Sequence, residues 1–301
     1  MRAAVIGAAG QLGRDLCAQL GPQAVALTHP EVELTSHESL VDALGELSPD
    51  VVINAAAFNR VDEAEERPSE AFAVNALGVR ELSLVCRELD CVLVHFSTDY
   101  VFGLEQDRRQ PYCESSVPGP LSVYGLSKLA GEYFVRSICP RHFVVRTCGL
   151  YGLHGAGGKG RNFVETMLRI GPERGQIRVV HDQTCTPTYT LDLAQAACQL
   201  ISSDAYGLYH WTNAGSCTWY EFACEIFRQA GVSVDCVPIT SEQYGARAAR
   251  PKYSVLDTSL FASLGFGPLR PWNEALHAYM EVRQSLVALG EPFNTDGSAS
   301  P

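Results

Sequence analysis

The feature that most constrains the fold is the N-terminal succession of a short apolar run, a glycine turn and a helical pattern. Residues 2–7 form the apolar run, and residues 7–13 read Gly-Ala-Ala-Gly-Gln-Leu-Gly before a helical pattern that continues through Leu20. Glycines at such a turn let the backbone approach a pyrophosphate, whose charge the amide groups at the helix start then hold. The turn predicts a dinucleotide site, with these cofactor-binding residues: Gly7, Gly10, Gln11, Leu12 and Gly13.

The spacing of this turn is G-x-x-G-x-x-G rather than G-x-G-x-x-G, so an ordinary strand–helix turn with glycines for packing is the alternative. The second predicted strand, residues 24–28, ends at His29-Pro30. An acidic residue at this point would bind the ribose of NAD, and none is present. NADPH and NADH therefore both remain open.

Small side chains follow the third predicted strand, residues 50–54. They are Ala55, Ala56 and Ala57. Small residues at the carboxyl end of a parallel strand leave room for a cofactor against the backbone, so we predict these alanines as cofactor contacts. Close packing of a helix is the alternative.

Hydroxyl and carboxyl side chains follow the fourth predicted strand, residues 91–96. Ser97, Thr98 and Asp99 stand at its carboxyl end, where doubly wound sheets bind their ligands. A hydroxyl there can bond a substrate oxygen. The alternative is capping of a turn, which the same residue types commonly provide.

Tyr124 and Lys128 stand four residues apart in a helical pattern and therefore share one helix face. An ammonium near the phenol favours its ionised form, which makes the tyrosine a usable proton donor or acceptor near neutral pH. This spacing is common by chance. It predicts catalysis only together with the glycine turn and the residues at 97–99.

The order of predicted elements gives the fold class: α/β, a Rossmann-type doubly wound parallel sheet with a smaller C-terminal α/β substrate-binding part. We assign residues 1–150 to the nucleotide-binding domain, and we expect a segment at about 177–205 to return to it. Residues 151–290 form mainly the substrate-binding part, and residues 291–301 are expected to be a disordered tail. The glycine-rich stretch 152–160 lacks the order of a phosphate loop and is interpreted as a mobile loop or substrate lid.

Charge and composition exclude several kinds of partner. The chain has 301 residues and a net charge of −11, which disfavours non-specific binding to nucleic acid or anionic membranes. It lacks the apolar segment of a signal peptide and the run of roughly 18 apolar residues of a membrane span, so we expect a cytoplasmic protein. Eleven cysteines without a Cys-x-x-Cys pair indicate reduced structural thiols.

Together these motifs resemble the extended short-chain dehydrogenases/reductases, and within them the dTDP-4-dehydrorhamnose reductase family. The resemblance covers about residues 1–285 in the family's order. In the first half it is carried by Asn54-Ala55-Ala56-Ala57, Val61-Asp62-Glu63-Ala64-Glu65, Asn75-Ala76, residues 96–102 and residues 124–132. In the second half it is carried by Arg146-Thr147, Asn162-Phe163, Asp182-Gln183, Pro187-Thr188, Asp192-Leu193-Ala194, residues 219–223 and Arg250-Pro251 with Ser254.

The resemblance implies that a nicotinamide cofactor reduces the 4-keto group of a nucleotide sugar, dTDP-4-dehydro-L-rhamnose, to give dTDP-L-rhamnose. It implies Thr98, Tyr124 and Lys128 as the catalytic triad. Tyr124 gives its proton to the forming alkoxide, Lys128 holds the cofactor ribose and lowers the pKa of Tyr124, and Thr98 bonds the carbonyl oxygen. Asp99 and Arg250 are implied as substrate contacts, because a guanidinium suits a diphosphate. For Arg250 the alternative is a surface salt bridge.

Specificity and assembly are left open by the resemblance. Most relatives have a tryptophan where this chain has Gly149, so the preferred sugar and base are undecided. Some family members bind magnesium between acidic residues at a dimer contact. Asp15 lies where one such acid could be, but we assign no metal ligand. A homodimer is compatible with the resemblance.

Two other functions fit the same motifs. A nucleotide-sugar epimerase shares this site but retains its NAD and returns the hydride, so bound NAD without net turnover would identify it. A non-catalytic regulatory subunit of methionine adenosyltransferase belongs to the same branch. The intact set Thr98, Tyr124 and Lys128 argues against that function.

Overall fold

The N-terminal strand, glycine turn and helix begin an α/β fold, and the computed structural model describes residues 1–154 and 161–290. The strands are β1 (Ala3–Ile6), β2 (Ala24–Leu27), β3 (Val51–Asn54), β4 (Val92–Thr98), β5 (His142–Thr147), β6 (Leu150–Tyr151), β7 (Gln176–Val180), β8 (Thr184–Cys185), β9 (Thr188–Tyr189), β10 (Gly207–His210), β11 (Cys217–Thr218) and β12 (Asp235–Ile239). The helices are α1 (Gln11–Leu20), α2 (His37–Leu47), α3 (Val61–Glu66), α4 (Pro68–Phe72), α5 (Val79–Glu88), α6 (Val123–Ile138), α7 (Phe163–Arg174), α8 (Thr190–Leu200), α9 (Trp219–Ala230), α10 (Ser241–Tyr244), α11 (Ser259–Phe261) and α12 (Trp272–Leu289).

A parallel sheet forms the centre of the fold, with the strands in the order β10-β5-β4-β3-β1-β2. β2 lies on one side of β1 and β3 on the other, so the chain changes direction across the sheet at β1. In doubly wound sheets this switch point forms the ligand crevice. The predicted Rossmann-type fold is confirmed.

Helices cover both faces of the central sheet, and alternate residues of each strand point to one face or the other. Ala3 and Val5 of β1 belong to a core shared with α1 and α8. Ala4 and Ile6 belong to a second core shared with α2, α5 and α6. The sheet is therefore held between helical layers, which leaves its carboxyl edge as the place for a site.

The C-terminal part has its own core, built around Tyr151, Phe222 and Tyr279. β7 pairs with β12 in a separate parallel two-stranded sheet, and its buried Ile177 and Val179 face this core. Helix α8 packs against α1 instead. Within the segment at about 177–205, which is expected to return to the nucleotide-binding domain, α8 thus lies on α1 and β7 lies in the C-terminal core.

Helix α6, which carries the Tyr-x-x-x-Lys motif, lies unusually close to its neighbours. A Cβ atom at Gly125 would lie 2.3 Å from the carbonyl oxygen of Tyr100, and one at Gly131 would lie 2.3 Å from that of Asn75. Only glycine permits these approaches, because a Cβ would overlap the backbone. The two glycines therefore let α6 pack closely on the turn after β4 and on the helical segment Ala73–Gly78.

Several predictions concern the whole chain rather than one element. All eleven cysteines are described, and they are free thiols. In the described ranges, no helix combines the length and the apolar character needed to span a membrane. Positions 155–160 of the predicted lid and the predicted tail 291–301 lie outside the described residues.

Candidate active site

The predicted site residues meet where the carboxyl ends of the strands reach one edge of the sheet. Gly7 follows β1, Ala55 follows β3, and Thr98 ends β4. Thr98 is paired in register with Thr147, the last residue of β5. The structure thus brings the glycine turn and the hydroxyl residues to the same edge.

The glycine turn has the form of a cradle for a dinucleotide. Gly7 has φ of +80°, and a Cβ there would lie 2.7 Å from the backbone nitrogen of Ala56. Gly10 caps α1 without any side-chain hydrogen bond, so no capping side chain covers the first turn of that helix. Exposed helix-start amides and the positive end of the helix dipole suit a pyrophosphate. The turn fits a nicotinamide dinucleotide, and the individual contacts stay predictions.

The other predicted cofactor residues surround this turn in different ways. A Cβ at Gly13 would lie 2.2 Å from the carbonyl oxygen of Gly7. Leu12 is buried in the core, so its side chain supports the turn from below. Gln11 donates from Nε2 to the Leu150 carbonyl oxygen at 3.2 Å, while its Oε1 is buried with no partner among the described residues. Ala57 is half-buried beyond β3.

Tyr124 lies near Thr98, whose hydroxyl acts on the pKa of the phenol. The Tyr124 ring also packs edge-on against Tyr100, with ring centroids 6.0 Å apart. Burial raises the pKa of Tyr124 to about 12, although the hydroxyl of Thr98 lowers it. The phenol therefore keeps its proton at neutral pH. This direction is opposite to the lowering predicted from sequence, because burial dominates at this tyrosine.

Lys128 is buried, and its Nζ is directed at β4. It donates to the Phe96 carbonyl oxygen at 2.6 Å and lies 3.4 Å from His95 Nε2. Burial lowers the pKa of Lys128 to about 8, and the charge of Glu132 opposes this shift. Sequence reasoning missed His95, although a single polar residue inside the apolar run 91–96 was a usable signal.

Asp99 lies against the C-terminal part and is only 2% exposed. Its Oδ2 accepts a hydrogen bond from Ser254 Oγ at 2.5 Å, and its Oδ1 accepts one from Thr98 Oγ1 at 3.2 Å. Burial raises its pKa to about 6, against hydrogen bonds from Ser254, Cys148 and Thr98. Asp99 thus joins the end of β4 to the chain at 254, and its contact with substrate stays a prediction.

Arg250 forms an ion pair with Asp62 of α3. Its Nη2 lies 2.7 Å from Asp62 Oδ2, and its Nη1 lies 3.1 Å from Oδ1. The charge of Arg250 also lowers the pKa of Tyr100, whose ring packs on Tyr124. The salt bridge that the sequence left as an alternative is therefore present, and it lies next to the candidate site.

A buried ion pair behind the site was also missed from sequence. Arg146 of β5 donates from Nε and Nη2 to the two carboxylate oxygens of Glu132, at 2.9 and 2.6 Å. Ser97 Oγ donates to the same carboxylate at 2.5 Å. The pair joins α6 to β4 and β5, and it lies one helical turn from Lys128.

Two positions singled out in the sequence have structural neighbours that bear on their roles. Gly149 has φ of +53°, and a Cβ there would lie 3.4 Å from the Trp219 ring. Asp15 accepts a hydrogen bond from Thr190 Oγ1 at 2.5 Å.

Among the described residues, no three His, Cys, Asp or Glu side chains are grouped as a metal site requires.

A parallel doubly wound sheet with a glycine turn at β1, a hydroxyl at the end of β4 and an adjacent Tyr-x-x-x-Lys helix defines an extended short-chain dehydrogenase/reductase. The family model described as "RmlD substrate binding domain" matches residues 1–285. The chain belongs to the dTDP-4-dehydrorhamnose reductase family, as its motifs predicted.

Several relatives are similar over most of their length. A dTDP-4-dehydrorhamnose reductase of Streptomyces griseus is 42% identical over 90% of this chain and 90% of its own. A dTDP-4-keto-6-deoxy-D-glucose reductase of Streptomyces niveus is 40% identical over 90% of this chain and 94% of its own. The crystal structure of the Bacillus anthracis str. Ames dTDP-4-dehydrorhamnose reductase in complex with NADP is 38% identical, with a TM-score of 0.88 over 93% of this chain and 99% of that one.

Proposed function

We propose that this protein is an NAD(P)H-dependent reductase of a 4-keto nucleotide sugar, converting dTDP-4-dehydro-L-rhamnose to dTDP-L-rhamnose. The observation that carries this proposal is the meeting of Thr98 and Tyr124 at the sheet edge that also holds the glycine turn. Reduction of a ketone needs a hydride source, a proton donor and groups that fix the carbonyl oxygen. The names of the relatives support the substrate class.

The cofactor is held at the cradle between β1 and β3. Amides at the start of α1 meet the pyrophosphate, and Ala55, Ala56 and Ala57 leave room for the rest of the molecule. The bound nicotinamide supplies the hydride for C4 of the sugar. NADPH is the preferred form in this proposal, since no acidic residue follows β2 at His29 and a relative's structure contains NADP.

Tyr124 is the proton donor for the sugar oxygen. Its pKa of about 12 keeps the phenol protonated before reaction, which is the state that reduction requires. Thr98 holds the same oxygen by turning its single hydroxyl proton to it from Asp99 Oδ1, and Lys128 contacts the cofactor ribose. Together these groups orient the carbonyl and supply the proton that balances the added hydride.

The nucleotide sugar lies toward the C-terminal part. Arg250 binds the diphosphate through its planar set of N–H donors. Asp99 orients the sugar through its hydrogen-bond partner Thr98. The wall near Gly149 is formed by Trp219, where an aromatic ring can pack against the sugar or base. Residues 1–150 act as the nucleotide-binding part and residues 151–290 mainly as the substrate-binding part. The enzyme is cytoplasmic.

The direct test is oxidation of NADPH and NADH by the purified protein against a panel of dTDP-linked and UDP-linked 4-keto sugars. We expect NADPH consumption and formation of dTDP-L-rhamnose in equal amounts. Tightly bound NAD with sugar interconversion and no net turnover would instead establish an epimerase. A stoichiometric complex with methionine adenosyltransferase, without turnover of any sugar in the panel, would establish a regulatory subunit.

A further inference from the structure

A chain of buried polar groups runs from β3 through β4 to Lys128. Asn54 and His95 are direct partners in the register of the two strands, and Asn54 Nδ2 lies 3.2 Å from His95 Nδ1. His95 Nε2 then lies 3.4 Å from Lys128 Nζ. All three side chains are almost completely buried, so they must satisfy one another rather than water.

The orientation of the Asn54 amide is fixed by a backbone group. The Ala56 N–H can only donate, and it donates to Asn54 Oδ1 at 3.1 Å. The amide nitrogen of Asn54 therefore faces His95 and donates to Nδ1. A neutral imidazole that accepts at Nδ1 carries its proton on Nε2.

His95 is neutral at physiological pH. Burial, and then the neighbouring Lys128 charge, hold the pKa of His95 well below its ordinary value. The Nε2–H bond therefore points at Lys128 Nζ. An ammonium has three donors and no acceptor, so it meets this N–H as a second donor, whereas a neutral amine can accept from it with its lone pair.

The distance between His95 Nε2 and Lys128 Nζ agrees with the meeting of two hydrogen-bond donors. At 3.4 Å it exceeds the range of about 2.7–3.2 Å typical of N–H hydrogen bonds. The bond from Nζ to the Phe96 carbonyl oxygen is compatible with either protonation state, because both states can donate. The contact with His95 is therefore the one that distinguishes them.

The other ionisable groups around Lys128 do not cancel the effect of His95 on the ammonium form of this lysine. Glu132, on the same helix, favours the ammonium, but Arg146 of β5 binds both of its carboxylate oxygens. Tyr124 precedes Lys128 on α6 and is protonated at neutral pH. Asp99, which follows β4, raises the pKa of Tyr124 through its charge.

We propose that His95, oriented by Asn54, is a positioning residue that disfavours the ammonium form of Lys128, so that this lysine releases its proton more readily than an ordinary lysine. The link to catalysis rests on the proposed function, because Lys128 then exchanges a proton near neutral pH beside Tyr124. The ionisation of Lys128 itself requires neither cofactor nor substrate.

The composition makes a direct test practical, because the chain has only three lysines: Lys128, Lys159 and Lys252. Protein labelled with [ε-13C]lysine should give three signals, which Lys128→Arg and Lys252→Arg assign. We expect Lys128 to titrate at about pH 8. A Lys128 midpoint at the ordinary lysine value of about 10.4 would overturn the proposal.

Variants separate His95 from burial as the cause. In His95→Gln the amide oxygen can turn toward Nζ and accept from the ammonium, so the midpoint of Lys128 should rise by about one pH unit. The control variant His142→Gln changes a histidine at the start of β5. It should leave the titration midpoint of Lys128 unchanged. An unchanged midpoint in folded His95→Gln would contradict the assigned role.

A measurement on the wild-type protein keeps the test decisive if His95→Gln does not fold. Nitrogen-15 shifts of the imidazole should show His95 neutral, with its proton on Nε2. A proton on Nδ1, or a charged ring, would overturn the proposal. These titrations use neither cofactor nor sugar, so an inactive protein would contradict the proposed function without affecting them.

Discussion

The guanidinium of Arg250 and the carboxylate of Asp62 form two hydrogen bonds across the junction between α3 and the C-terminal part. Asp62 Oδ1 also accepts from the Ala248 backbone nitrogen at 3.0 Å. One carboxylate therefore holds both the side chain and the backbone of the segment that carries Arg250. This arrangement makes Arg250 an oriented cation beside the site rather than a loose surface charge.

Arg250→Ala should raise the KM for the nucleotide sugar by about 10–100-fold with little change in kcat, because charge-assisted bonds to a diphosphate contribute about 1.5–3 kcal/mol. Asp62→Asn should raise KM less, since it weakens the orientation of Arg250 but leaves its charge. Steady-state kinetics at saturating NADPH measures both effects.

The matched control for this pair is Arg247→Ala, which removes a neighbouring arginine that pairs with Glu66 at the surface. Its KM should stay within about twofold of the wild type, because exposed pairs contribute little. If Arg250→Ala lowered only kcat, Arg250 would not be a diphosphate contact.

Tyr124→Phe should lower kcat by about 10²–10⁴-fold, because it removes the proton donor. The dissociation constant for NADPH should change little, since the ring and its packing on Tyr100 remain. Lys128→Ala should weaken NADPH binding in addition. Fluorescence titration with NADPH separates the two, and wild-type kcat in Tyr124→Phe would refute the assignment.

Arg146→Met should lower the free energy of unfolding by about 3–5 kcal/mol, because it leaves the carboxylate of Glu132 buried without its charged partner. Replacing both residues, in Arg146→Met/Glu132→Leu, should cost less than the single change. Urea unfolding at pH 7 measures both variants. Equal losses in the single and double variants would show that packing, not the unpaired charge, determines the effect.

Asp15→Asn should change how stability depends on pH. Burial raises the pKa of Asp15 to about 6, although the bond from Thr190 lowers it. A carboxyl whose pKa is raised by folding contributes stability at low pH, and this is lost as the pH rises from about 4 to about 6. Above that range the variant should be more stable than the wild type by about 3 kcal/mol.

The expected difference for Asp15→Asn disappears below about pH 4, where both side chains are neutral. Thermal unfolding at several pH values measures it, with Asp42→Asn on the exposed side of α2 as the control. A difference between Asp15→Asn and the wild type that does not vary with pH would contradict the prediction.

Local patterns in the sequence predicted most of the nucleotide-binding half. The run through Gly7, the alanines after β3 and the helix carrying Tyr124 each depend on a few adjacent residues. Their backbone geometry and helical spacing follow from those residues alone. The family motifs then placed these elements in one fold, which the parallel sheet confirms.

What the sequence could not determine depends on which distant side chains share a buried space. The pairing of β7 with β12 joins segments about sixty residues apart, and nothing local to either strand specifies it. The pKa of Tyr124 is raised rather than lowered because burial, a property of the whole surrounding fold, outweighs the opposing effect of the Thr98 hydroxyl. The sequence by itself determined the element order, the glycine turn and the identity of the reactive residues. Only the tertiary structure decided that Lys128 faces His95 and that Arg250 pairs with Asp62, because those contacts arise from packing between separate strands and helices.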